Sequence, residues 1–187
     1  MALAGHGGDE GTVRAGLVAA DPHVRVVALG ALARLGHLGK DELAAAAADP
    51  DVVVRRRAAE EAGRTDAEVD VLTLLGDDDA LVVEAAAWAC GERRPVADGT
   101  VGALMAVAAD HEDPLCREAA VAALGAIGDE AGLPAILAAT GDKPAVRRRA
   151  VIALAPFEGE DVDAALQRAL EDRDRQVRQA AEDLLGD

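Results

Sequence analysis

One pattern constrains this chain more than any other. A short apolar helix signature, V-R-x-x-A-x-x-x-L in its fullest form, returns about every thirty residues. With its alanine as a ruler, the copies fall at Ala28, Ala58, Ala86, Ala120, Ala150 and Ala181. Four residues before each stand Val24, Val54, Val82, Cys116, Val146 and Val177; four after stand Leu32, Ala62, Cys90, Leu124, Leu154 and Leu185. Positions −4, 0 and +4 line one face of a helix. So short a helix cannot bury that face alone, but a stack of copies can.

Weaker apolar stretches with helical spacing lie between the copies, at 11–19, 41–48, 66–75, 98–109, 130–140 and 161–171. Each repeat is therefore read as an antiparallel pair, a first helix and a second helix. The expectation is twelve helices in six pairs, with no strand. Residues 1–10 are expected to be a flexible lead-in and 11–187 a single domain. The composition agrees with an all-α class: one Trp, one Phe and no Tyr leave a core of Ala, Val and Leu, and alanine and leucine favour helix. Arg far exceeds Lys, and Ala, Gly, Val and Asp abound, a bias that points to a GC-rich bacterial genome.

Turn chemistry repeats with the helices. Pro22, Pro50, Pro114 and Pro144 stand at or near the start of second helices, where the missing N–H costs nothing. Asp21, Asp49, Asp113 and Asp142 precede them and can cap free amides. Gly36, Gly63 and Gly128 follow helices as expected C-caps.

With six registered copies, the chain resembles the HEAT-like repeats, in the short variety of bilin-lyase-type proteins. The resemblance implies an α-solenoid, a right-handed superhelix whose second helices line the concave side. It also implies an Asp–Arg hydrogen-bonded ladder from repeat to repeat. The pairs at spacing four are Asp21/Arg25, Asp51/Arg55, Asp113/Arg117 and Asp174/Arg178, with Asp142/Arg147 at spacing five. Asp79 is followed by Val83, so one rung is expected to be missing.

Catalytic chemistry finds no constellation. Serine is absent, no phosphate-loop pattern occurs, and carboxylates gather at turns such as "GDDDA" (76–80). Cys90 and Cys116 occupy packing slots that hold Val, Leu or Ala elsewhere. About 12 Å of helical rise separates those slots, too far for a disulfide. His6, His23, His37 and His111 are scattered, and the single His111-Glu112 pair makes no metal site. No metal or cofactor is expected. A net charge of −16 argues against nucleic acid and anionic membranes. No run approaches a membrane span. "MALAGHGGDEG" is not a signal peptide, which makes the cytoplasm the expected location.

Binding chemistry is more legible. If the second helices line the concave side, their arginines form a basic stripe inside an acidic shell. Arg56, Arg57, Arg148 and Arg149 occupy slots −2 and −1. Trp88 holds slot +2, where other repeats carry Gly30, Glu60, Ala122, Ile152 and Asp183. A large apolar ring with one polar handle suits a binding anchor; the other reading is a filler between repeats. The leading function is a non-catalytic scaffold that holds a protein or peptide segment through Trp88, Glu92, Arg56, Arg57, Arg148, Arg149 and Ile152, with an acidic segment as one option. The alternative, implied by the bilin-lyase resemblance, is a tetrapyrrole lyase or chaperone whose groove pairs arginines with propionates.

Overall fold

The computed structural model describes residues 10–65 and 69–186. Its described residues form eleven α-helices, two short 3-10 turns and no strand. α1 (Glu10–Gly16) and α2 (Pro22–Leu35) make the first pair, and α3 (Lys40–Ala47) and α4 (Val52–Ala62) the second. A 3-10 turn (Leu72–Gly76) precedes α5 (Ala80–Glu92). Then come α6 (Thr100–Asp110) with α7 (Pro114–Ile127), and α8 (Leu133–Ala139) with α9 (Pro144–Ala153). The last pair is α10 (Glu160–Leu170) with α11 (Arg175–Leu185). Each second helix touches the next, so α2, α4, α5, α7, α9 and α11 form one continuous row. The fold is an α-solenoid.

The alanine register sits where the sequence puts it. Through the four inner repeats, slots −4, 0 and +4 are all buried, from Val54, Ala58 and Ala62 to Val146, Ala150 and Leu154. The exceptions stand at the two ends: Val24 is 45% and Leu185 43% exposed. Their helices, α2 and α11, have a second-helix neighbour on one side only.

The third repeat departs from expectation. The stretch 66–75 was expected to be a helix; residues 66–68 lie outside the described residues, and only Leu72–Gly76 coil, as a 3-10 turn. Locally, Asp70 takes the Leu72 amide at 3.0 Å, and β-branched Val69, Val71 and Thr73 alternate through the segment. Side-chain bonds to the backbone and β-branching both work against a regular helix. Val71, Leu74 and Leu75 are nonetheless buried, filling the layer the helix would have filled. The expected lead-in falls outside the described residues except for Glu10, which begins α1.

The second helices begin alike. Asp21, Asp51, Asp79, Asp113 and Asp174 are N-caps, each accepting the amide two residues on. Proline follows the N-cap in α2, α7 and α9, whereas Pro50 precedes the cap of α4. Gly36 and Gly128 end their helices in the left-handed region, at φ 70° and 69°; Gly63 does not, at φ −73°.

The rungs follow a different pairing from the spacing-four one. The spacing-four aspartates cap their own helices, while Arg25, Arg55, Arg117 and Arg147 each fork onto an aspartate just ahead of the next repeat's second helix. Arg25 holds Asp49 at 2.8 and 2.7 Å, and Arg55 holds Asp77 at 2.6 and 2.9 Å. Arg117 holds Asp142 at 2.6 and 2.7 Å, and Arg147 holds Asp172 at 2.8 and 2.7 Å. The third guanidinium nitrogen donates to carbonyls of the arginine's own turn, as Arg117 does to His111 at 2.7 Å. Bidentate forks of this kind are the strong form of the ion pair. Val83 replaces arginine in α5, and the matching acceptor position before α7 is His111, not aspartate. Both members of that rung have changed together, and Val83 is fully buried.

Small residues supply the rest of the stacking. A Cβ added to Gly125 of α7 would lie 2.7 Å from the Ala153 Cα of α9. One added to Gly91 of α5 would lie 3.0 Å from the Ala123 Cα of α7. The two cysteines are free and buried; burial pushes both thiols up to about 11, which leaves them protonated and unreactive.

Two outcomes follow from this packing. Gly→Ala in a helix interior ordinarily stabilises, but Gly125→Ala is expected to destabilise by about 1–3 kcal/mol because α9 must move away; unchanged or raised stability in urea melts would contradict the close approach. The second outcome concerns acid. The forks from Arg55 and Arg147 hold the Asp77 and Asp172 carboxyls below their ordinary value of 3.8. A carboxylate lowered in the folded state contributes stability above its unfolded pKa and loses it as pH falls through the folded value. Asp77→Asn with Asp172→Asn should therefore weaken the protein at neutral pH and flatten the decline in stability below about pH 4. An acid limb as steep as in the parent would refute the rung contribution.

Candidate functional site

A groove of about 560 Å³ opens across the second-helix row. Its floor is made of small residues, Ala119, Ala122, Ala123 and Ala126 of α7 with Ala85 and Gly91 of α5. The groove exists because these side chains stop at Cβ between helices that are already in close contact. Trp88 of α5 stands in its wall, 37% exposed. Gly63 makes room for the ring: a Cβ there would come within 2.5 Å of the indole Cζ3. The Arg64 guanidinium lies over the indole, 5.1 Å from the ring centroid, a cation–π arrangement.

Of the residues expected at the site, the groove brings together Arg56, Trp88, Glu92 and Arg149. Arg57, Arg148 and Ile152 do not line it. Arg57 is held by Glu61 at 2.6 Å and reaches back over Gly30, where a Cβ would meet its guanidinium at 2.5 Å. Arg148 lies within 3.9 Å of Glu118. Ile152 is exposed, 43%, beyond the groove on α9. Arg93 and Arg94 serve the scaffold: Arg93 donates to the Ala62 carbonyl and Arg94 to that of Ala126, both at 2.7 Å, at the ends of neighbouring helices.

The expected basic stripe is not basic. Across successive repeats slot −2 reads Arg56, Glu84, Glu118 and Arg148, so two acidic positions stand between two basic ones along the row. Glu60 takes Arg56 at 3.3 Å and Arg57 at 3.4 Å; Glu118 takes Arg149 at 3.4 Å. Arginine runs stand out in the sequence, while the glutamates that neutralise them lie one repeat away or one turn on. Glu60 and Glu118 escape a reading of the sequence for that reason, and Arg64 and Glu84 because their place beside Trp88 arises in the fold. Comparing slots −2, +2 and +6 across repeats would have found all four. No group of three or more potential metal ligands occurs among the described residues. None of their helices is long and apolar enough to cross a membrane.

With this geometry in view, the chain can be placed. Residues 71–145 and 101–186 match the HEAT repeats family. The match spans more than half of the sequence, and the protein belongs to that family. Among solved structures, a designed armadillo repeat protein in complex with the peptide (KR)4 is similar at a TM-score of 0.69 and 16% identity, covering 96% of this chain and 99% of its own. The Escherichia coli protein YibA is similar at a TM-score of 0.67 and 20% identity, covering 95% of this chain and 70% of its own. A second designed armadillo repeat protein is similar at a TM-score of 0.64 and 16% identity, covering 95% of this chain and 98% of its own. No curated protein matches by sequence.

Trp88 makes the site measurable because it is the only tryptophan. Acrylamide should quench its emission readily, and more so in Arg64→Ala, which uncovers the ring. Trp88→Ala should cost about 1–2 kcal/mol, below the roughly 3–5 kcal/mol of a fully buried aromatic. A blue emission shielded from acrylamide, with a large loss of stability, would show that the ring is a filler.

Proposed function

We propose that this HEAT repeat protein is a non-catalytic scaffold of the cytoplasm that holds an extended protein or peptide segment in the groove at Trp88. One observation carries the reading: a half-exposed indole stands above an alanine-floored groove wide enough for side chains. Such a ring offers area to a partner at little ordering cost, the property of an anchor. Arg56, Arg149 and Glu92 provide polar contacts at the rim, with Arg57, Arg148 and Ile152 on the flanks. Membership of the HEAT repeats family and similarity to a designed repeat protein solved with a bound peptide support a segment-binding role. An acidic segment draws less support than the arginine content suggested, since Arg56, Arg57 and Arg149 already face glutamates. The tetrapyrrole reading loses support because Arg56 and Arg149 already face glutamates and Trp88 is the one aromatic ring in the groove lining available for stacking a flat pigment.

Panning a random peptide library on the purified protein tests the proposal. Selected peptides should perturb Trp88 fluorescence. Their affinity should fall about thirtyfold in Trp88→Ala, the loss of a binding hot spot. Ala122→Leu, which fills the floor, should weaken them comparably. Peptides that bind both variants as tightly as the parent would overturn it.

A further inference from the structure

The groove's charges are not spent evenly. Arg56 is paired with Glu60, and Arg149 with Glu118. Two carboxylates remain without a hydrogen bond or ion pair among the described residues, Glu84 and Glu92, both in the groove lining. They sit four residues before and four after Trp88 on α5, so the three side chains share one helical face. Each carboxylate is about 6 Å of helical rise from the tryptophan. The indole is thus flanked on both sides by unspent negative charge.

The ring already holds a cation of the chain's own. Arg64 lies over it and, among the described residues, its side chain is fastened elsewhere only by a 3.3 Å hydrogen bond to the Glu60 carbonyl. Its side chain is exposed. A weakly fastened guanidinium on an aromatic face shows which chemistry the face accepts, and it can be displaced at small cost.

We infer that the groove recognises a basic side chain, arginine or lysine, of an extended partner segment, seated over Trp88 between Glu84 and Glu92 in place of Arg64. The inference rests on the segment-binding role proposed above and adds the sign of the partner. Aromatic and carboxylate contributions act together here: the ring quadrupole attracts the cation, and the two flanking glutamates fix its position and repel an acidic competitor. Arg64 then acts as a built-in competitor that keeps the ring covered until a partner arrives.

An octapeptide of alternating Arg and Lys is the probe, titrated against the full chain by calorimetry and by Trp88 fluorescence, with an alternating Asp-Glu octapeptide and a Gly-Ser octapeptide beside it. Only the basic peptide should bind and change Trp88 emission. Glu84→Gln with Glu92→Gln should weaken it about tenfold, the sum of two exposed charge pairs. Arg64→Ala should tighten it roughly two- to fivefold, the value of one exposed cation–π contact. Glu130→Gln with Glu158→Gln, which removes equal charge from exposed positions outside the groove, should change it less than twofold. Equal weakening in this control pair would mean attraction to bulk negative charge and would overturn the inference. So would no response of Trp88 to the basic peptide. Trp88-dependent binding of the acidic or neutral peptide would overturn the basic preference while leaving the segment-binding role standing.

Discussion

Successive second helices approach almost to backbone contact, and the rest of the structure follows from that. Gly125 faces the Ala153 backbone and Gly91 that of Ala123 at distances that a methyl group would violate. Alanine fills slot 0 in all six repeats. Such contacts maximise dispersion between helices at the expense of side-chain volume. They also leave shallow space above the row, since Ala119, Ala122, Ala123 and Ala126 of the floor stop at Cβ. The groove is therefore a by-product of how the solenoid is held together.

The rungs complement this contact at the other end of the helices. An arginine that forks onto the next repeat's aspartate while gripping carbonyls of its own turn locks two loops in register. Between α5 and α7 the fork is replaced by buried Val83 and by the Cys116 thiol donating to the Ala80 carbonyl at 3.1 Å. That interface carries no arginine–aspartate fork. It is also the interface above which Trp88 and the alanine floor meet. A one-dimensional stack tolerates such local substitutions because each repeat answers only to its neighbours.

Charge on the exposed side of the row is arranged as a lattice. Reading across helices, slot −2 sets Glu84 and Glu118 between Arg56 and Arg148, and slot +6 places Arg64 beside Glu92. Most of this charge is internally matched, which keeps the row soluble and in register without favouring a ligand. Chemistry becomes available only where the matching fails, at Glu84 and Glu92 on either side of the ring. The function proposed here depends on those exceptions more than on the abundance of arginine.

The sequence by itself determined the repeat, its register and the class of fold, because spacing of apolar residues along one helix is a local property. The buried slots, the caps at Asp21 and Asp113 and the lost rung at Val83 were readable in the same way, whereas Asp49 and Asp142, expected as caps, accept the forks of Arg25 and Arg117. Tertiary structure decided what depends on neighbours. That Leu72–Gly76 forms a 3-10 turn instead of the expected helix was settled by Asp70 and by the burial of Val71, Leu74 and Leu75. Which aspartate each arginine holds was settled by the rise between repeats, about twenty-five residues away along the chain. Trp88 was legible as a candidate, yet its partner Arg64, its seat on Gly63 and the pairing that neutralises Arg56 and Arg149 arise between helices. No single helix carries that information, since the distances that matter run across the stack and not along the chain.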